Sequence, residues 1–187
     1  MRALLAIVLS SLLLASTASA AKPDSSRDGG RRIRPQDERT IAMMAAGMAR
    51  SASFRALVAR VEASDVFVYV GISPLLKSSL AGRLTWMTQA GGYRYLRAVI
   101  NTELSSDHMI SAIAHELQHA VEVIEDAGVA DERSLEALYK RIGKRSNAAA
   151  YAAWETVAAQ DAGTRVRREL NAPPATVALR ALESDKL

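Results

Sequence analysis

The chain has no cysteine, only three histidines and five prolines, and aromatic residues make up just 5% of its 187 positions. Without cysteine there is no disulfide, even in an oxidising compartment, and no lipidated thiol to act as an anchor. Long hydrophobic runs are equally scarce. The one apolar stretch of note, Leu4 to Leu14, is broken by Ser10 and Ser11 and falls short of the ~20 residues that a spanning helix needs. A soluble mature chain with neither cross-links nor anchor is therefore expected.

What the N-terminus does contain has the layout of a secretory signal. Arg2 supplies a short positive region, Leu4 to Leu14 the apolar region, and Ala18-Ser19-Ala20 a small-residue cleavage site. Export to a bacterial periplasm or to the medium is the expectation. Residues 21 to 36 are polar and rich in Gly and Pro, which predicts a disordered linker. The net charge is +4, and much of the excess sits in Arg27, Arg31, Arg32 and Arg34. Such an arm can bind nucleic acid, but in an exported chain it reads as a solvated tether, so no nucleic-acid partner is expected. One domain is expected over residues 37 to 172, with a tail from 173 to 187.

Within that domain the periodicities predict an α+β fold. Ile41, Met44, Ala45 and Met48 recur at helical spacing, and Ser51 to Ser53 can end that helix and cap a second through Phe54, Leu57, Val58 and Val61. Asp65 to Val70 is an almost wholly apolar β-branched and aromatic run, the pattern of a buried strand. Arg83 to Thr88 and Tyr93 to Asn101 flank Gln89-Ala90-Gly91-Gly92, a hairpin connection. In the second of these strands Leu96, Ala98 and Ile100 alternate with Tyr95, Arg97 and Val99, which suggests a place near the edge of a small, mostly antiparallel sheet. Further helices are predicted from about Ser106 to Gly128, Asp131 to Ile142 and Asn147 to Leu170, the last stopped by Pro173-Pro174.

Two of the three histidines fall in His115-Glu116-Leu117-Gln118-His119, which reads H-E-x-x-H. Random placement gives this pentapeptide roughly 0.003 times in a chain of this composition. On a helix, residues four apart lie about 40° apart and about 6 Å along the axis, so both imidazoles can reach one metal ion. Glu116 is then placed as a general base. With His115 at zero, Ile110, Ile113, Leu117, Val121 and Ile124 project between about 160° and 240°, opposite His119 at about 40°. Such a helix packs one face on a sheet and turns the other to a cleft.

Two histidines are one ligand short of a catalytic zinc site. The extended form H-E-x-x-H-x-x-G-x-x-H is excluded, because Glu122 and Glu125 stand where Gly and His would be needed. His108 lies about 10 Å along the axis from His115, too far for the same ion. A carboxylate must complete the set. Glu122 and Glu125 read as solvated or supporting acids, and Glu136 as exposed among Glu132, Arg133 and Lys140. Glu155 stands in an Ala-rich stripe of the last predicted helix, where an ionised group needs compensation. Either a metal on the facing helix or a salt bridge to Arg165 would supply it. Tyr151, one turn earlier, is a candidate oxyanion stabiliser or a packed aromatic.

With these residues the chain resembles the zincin metallopeptidases, and among them the gluzincin type, in which a Glu on a later helix completes H-E-x-x-H. The resemblance covers roughly residues 65 to 170. The N-E-x-x-S-D context of the thermolysin-like members is absent around Glu155. The resemblance implies a minimal zincin-like domain with Zn2+ held by His115, His119 and Glu155. It further implies Glu116 and Tyr151 as catalytic residues, and an extended peptide or protein substrate added to the strand ending at Asn101. An alternative expectation is a zinc-binding or interaction protein that keeps the zincin shell with little proteolysis.

Overall fold

The computed structural model describes residues 30–76, 79–145 and 154–172. The elements in chain order are β1 (Ile33–Pro35), α1 (Glu38–Arg50), α2 (Ala52–Glu62), β2 (Val66–Ser73), β3 (Gly82–Ala90), β4 (Tyr93–Asn101), α3 (Ser106–Glu125), α4 (Glu132–Ile142), β5 (Lys144–Arg145), β6 (Trp154–Glu155) and α5 (Val157–Leu170). The fold is α+β, with a four-stranded sheet ordered β1-β2-β4-β3 and a separate β5-β6 pair. The signal expected over residues 1–20 and the tail over 173–187 lie outside the described residues. Among those described, no helix is long and apolar enough to cross a membrane.

Local chemistry sets most of the helix boundaries. Asp37 and Asp131 open α1 and α4 with capping boxes, each side chain accepting from the N3 backbone N–H. Ser51 closes α1 and caps α2 through Phe54 N–H. The apolar stripe of α3 is buried as its periodicity predicts: Ile110, Ile113, Leu117 and Val121 are fully covered and share one core with Val66, Val68, Val70, Leu96, Ala98 and Ile100. Arg94 fixes the far end of α3. Its guanidinium donates to both oxygens of Asp65 at 2.8 Å and to the carbonyls of Val123 and Asp126, a positive group at the helix C-terminus.

The structure corrects the sequence-based picture in three places. The expected linker is structured at its end: Ile33–Pro35 pairs in parallel with Val68–Val70. Pro35 is tolerated because β1 is an edge strand, and Glu62 accepts from the N–H groups of Arg32 and Ile33. Arg32 is buried over the rings of Phe67 and Tyr93, so it is not part of a solvated tether.

The sheet is mixed: β1/β2 and β2/β4 are parallel, and only β3/β4 is antiparallel. β4 is therefore central, and β3 is the edge on its side of the sheet. Alternation along β4 correctly reports its two faces, but faces do not specify a strand's neighbours.

The last helix begins at Val157, with Thr156 as N-cap accepting from Ala159 N–H. Trp154–Glu155 is extended and pairs with Lys144–Arg145. A polar side chain that offers the backbone its own oxygen competes with helix continuation, which is how Thr156 sets the start of α5.

Candidate metal centre

His115, Glu116 and His119 sit on α3 as their spacing requires, and β6 brings Glu155 to them from 36 residues beyond His119. Nε2 of His115 lies 3.3 Å from Oε2 of Glu155. One ligand atom from each of His115, His119 and Glu155 falls within 4.8 Å of the others. Glu155 thus reaches the cluster from a strand, although the helix expected to carry it starts two residues later. The alternative partner Arg165 lines a groove between α2 and α5 with Arg60, Gln118 and Asp161.

Two glycines make this approach possible. A Cβ at Gly163 would meet the Ser111 carbonyl at 3.2 Å and His115 Cβ at 3.5 Å, and Ser111 Oγ donates to the Gly163 carbonyl at 2.8 Å. At Gly143 a Cβ would lie 2.8 Å from the Tyr139 carbonyl and 3.1 Å from that of Glu155. α5 can therefore press onto α3, and β5 onto β6, closely enough to hold the carboxylate against the histidines.

His119 is oriented from behind. Its Nδ1 is 2.8 Å from Oε2 of Glu122, while Oε1 of Glu122 accepts from Thr156 Oγ1 at 2.5 Å. All three side chains are buried. A carboxylate on one imidazole nitrogen fixes the ring and leaves the other nitrogen free to ligate. Tyr139 packs edge-on to His119 and donates to its backbone carbonyl at 3.2 Å; burial and the charges of Glu122 and Glu116 hold its phenol proton well above the ordinary value.

Glu116 is almost completely covered, 4% exposed, at the point where β3 begins. A Cβ at Gly82 would stand 2.6 Å from its Oε1, so any larger residue there would force this carboxylate to shift. Burial raises the Glu116 pKa, against the pull of His119 and His115, and the carboxylates of Glu155 and Glu122 raise it further. Burial also disfavours charge on His115, but its contact with Glu155 and the nearby charges of Glu116, Glu155 and Glu122 outweigh that and raise its pKa. For Glu155 the balance runs the other way. Burial pushes its pKa up, yet the contact with His115 and the nearby histidine charges bring it below the ordinary value.

The remaining candidates separate cleanly. Glu136 is exposed and pairs with Lys140 at 2.8 Å, Glu125 is exposed and pairs with Arg60, and His108 bonds Ser105 at 2.9 Å. Tyr151 lies outside the described residues. Sequence reasoning missed Thr156, Gly82 and Tyr139. Thr is a preferred N-cap residue, a signal that could have found the first, whereas no local pattern marks the other two.

The donor set is of a kind that binds zinc. Two imidazoles and a carboxylate are the ligands of one catalytic zinc class, and with ligand bonds of 2.0–2.1 Å a tetrahedral edge is about 3.3 Å; His115 and Glu155 stand at that separation, while the three ligand atoms together spread to within 4.8 Å. Compared with protein-family models, curated proteins and solved structures, the chain matches none.

Proposed function

We propose that this chain is an exported zinc-dependent metallopeptidase of the zincin kind. The observation that carries the reading is the convergence of His115, His119 and Glu155, with Glu116 between the two histidines in sequence and buried beside them in space. A zinc ion held there supplies Lewis acidity, lowering the pKa of a water to about 7 and polarising a scissile carbonyl.

The protein's own groups have separate tasks. Glu116 takes the proton of the attacking water and delivers it to the leaving amine; its raised pKa brings it closer to that of the groups it exchanges protons with. Glu122 and Thr156 hold the His119 ring. The side chains of His115 and Glu155 stay 20% and 31% exposed, so the cluster is open on one side to a substrate. Because β4 is central, an extended peptide would add to the free edge of β3, which starts at Gly82 beside Glu116.

The test pairs metal analysis with cleavage of a peptide library, using Glu116→Gln as the control. Zinc-dependent cleavage by wild type that the Gln variant lacks is expected. Zinc binding with no cleavage beyond that control would favour a zinc-binding protein without useful proteolysis.

A further inference from the structure

We propose that the outer face of the four-stranded sheet docks this protein on an anionic lipid surface. Among the described residues the helices build their core against one face of this sheet: Val66, Val68, Val70, Leu96, Ala98 and Ile100 point into it. Phe67, Tyr69, Tyr95, Arg97 and Val99 point the other way, and none of them belongs to that core.

The register draws the composition of this second face. One row runs Arg34, Tyr69, Arg97 and Thr85 across all four strands, and Arg83 pairs with Val99 in the next. Arg34 and Arg97 are two strands apart, about 10 Å. The chain has 20 Asp and Glu beside 24 Lys and Arg, yet β1, β2, β3 and β4 contain no Asp or Glu. Two acids beside β1 are engaged with backbone: Glu62 accepts from Arg32 and Ile33, and Asp37 from Thr40 and Ile72. Arg94 is turned to the core side, where Asp65 neutralises it. Among the described strand residues that point this way, the charged ones are all arginine, which favours a negative partner.

The aromatic residues decide which polyanion fits. Phe67 is fully buried, lies beneath the guanidinium groups of Arg32 and Arg34, and stacks on Tyr95 at 5.1 Å with the planes 5° apart. Its ring is therefore closed to the base stacking on which single-stranded nucleic-acid binding draws. What the surface offers is arginine for phosphate and half-buried tyrosines, side chains suited to a headgroup layer. Attraction of this kind is peripheral and weakens with salt.

Co-sedimentation of the purified mature chain, without the export signal expected over residues 1–20, with phosphatidylcholine vesicles, with and without phosphatidylglycerol, tests this. Wild type should pellet with the anionic vesicles at low salt only. Arg83→Gln with Arg97→Gln, both exposed, should weaken binding by about 30-fold, while Arg133→Gln with Arg167→Gln removes the same charge from helices and should leave it near wild type. Replacing Arg83 and Arg97 by Lys should retain it. No binding to anionic vesicles, or equal loss in the two double Gln variants, would overturn the proposal. So would binding of a single-stranded oligonucleotide without vesicle binding.

Discussion

Glu122 holds the Nδ1 atom of His119 at 2.8 Å in a buried pocket, one helical turn beyond the H-E-x-x-H motif. The ring cannot turn without breaking that bond, and Thr156, donating to the other oxygen of the same carboxylate at 2.5 Å, keeps Glu122 in place. Loss of such a partner commonly lowers metal affinity 10- to 100-fold. Glu122→Ala is predicted to weaken zinc binding within about that range in competition with a chromophoric chelator, and Thr156→Val to weaken it less.

Glu116→Gln separates chemistry from binding. The variant is predicted to keep its zinc and lose hydrolysis. It should also stabilise the metal-free protein. A carboxyl whose folded pKa is raised destabilises the fold as pH climbs through that value, and contributes nothing below the unfolded value. Thermal unfolding of the metal-free proteins should therefore show the Gln variant ahead at neutral pH, with the gap closing in acid.

Gly82→Ala puts a methyl group 2.6 Å from Glu116 Oε1. Glu116 must move, while the three metal-binding side chains are not touched. Hydrolysis should fall about a hundredfold with zinc stoichiometry unchanged, measured as kcat/KM beside metal content.

Arg94 joins the start of β4 to the end of α3 through Asp65, Val123 and Asp126. Arg94→Met leaves Asp65 and two carbonyls without their donor. A loss of about 3 kcal/mol in urea unfolding is predicted, the low end for a broken buried pair because Asp65 is partly exposed.

The α+β class, the hairpin, the H-E-x-x-H helix and its apolar stripe were legible from periodicity and capping residues. Glu155 was singled out by projecting an Ala-rich helical stripe; the residue does reach the cluster, but from β6 ahead of the helix, so the projection is not what brings it there. Its strand was not legible, because the Ala-rich pattern before Thr156 fits a helix equally well and the close approaches at Gly143 and Gly163 are tertiary. The parallel place of β4 beside β2 was hidden for a similar reason. Alternation encodes which face is buried, whereas strand order depends on contacts distant in sequence. Ile33 between two arginines did carry a period-two signal, masked by the glycines and prolines around it.

Acid should expose the clamp that Glu169 makes on the start of α2. Burial pushes this carboxyl up, but hydrogen bonds from Ser51 and Ser53 outweigh it and hold the pKa below the ordinary 4.5. A depressed pKa stabilises fully above the unfolded value and loses that contribution as pH falls through the folded one. Urea midpoints of wild type and Glu169→Gln should differ at neutral pH and converge below pH 4.5.

The central claim is that His115, His119 and Glu155 form one zinc site. Metal content of the purified wild type, Glu155→Ala and Glu136→Ala after dialysis tests it most directly. The account predicts one zinc per chain in wild type and Glu136→Ala and none in Glu155→Ala; a full zinc equivalent in Glu155→Ala, or none in wild type even after loading, would contradict it.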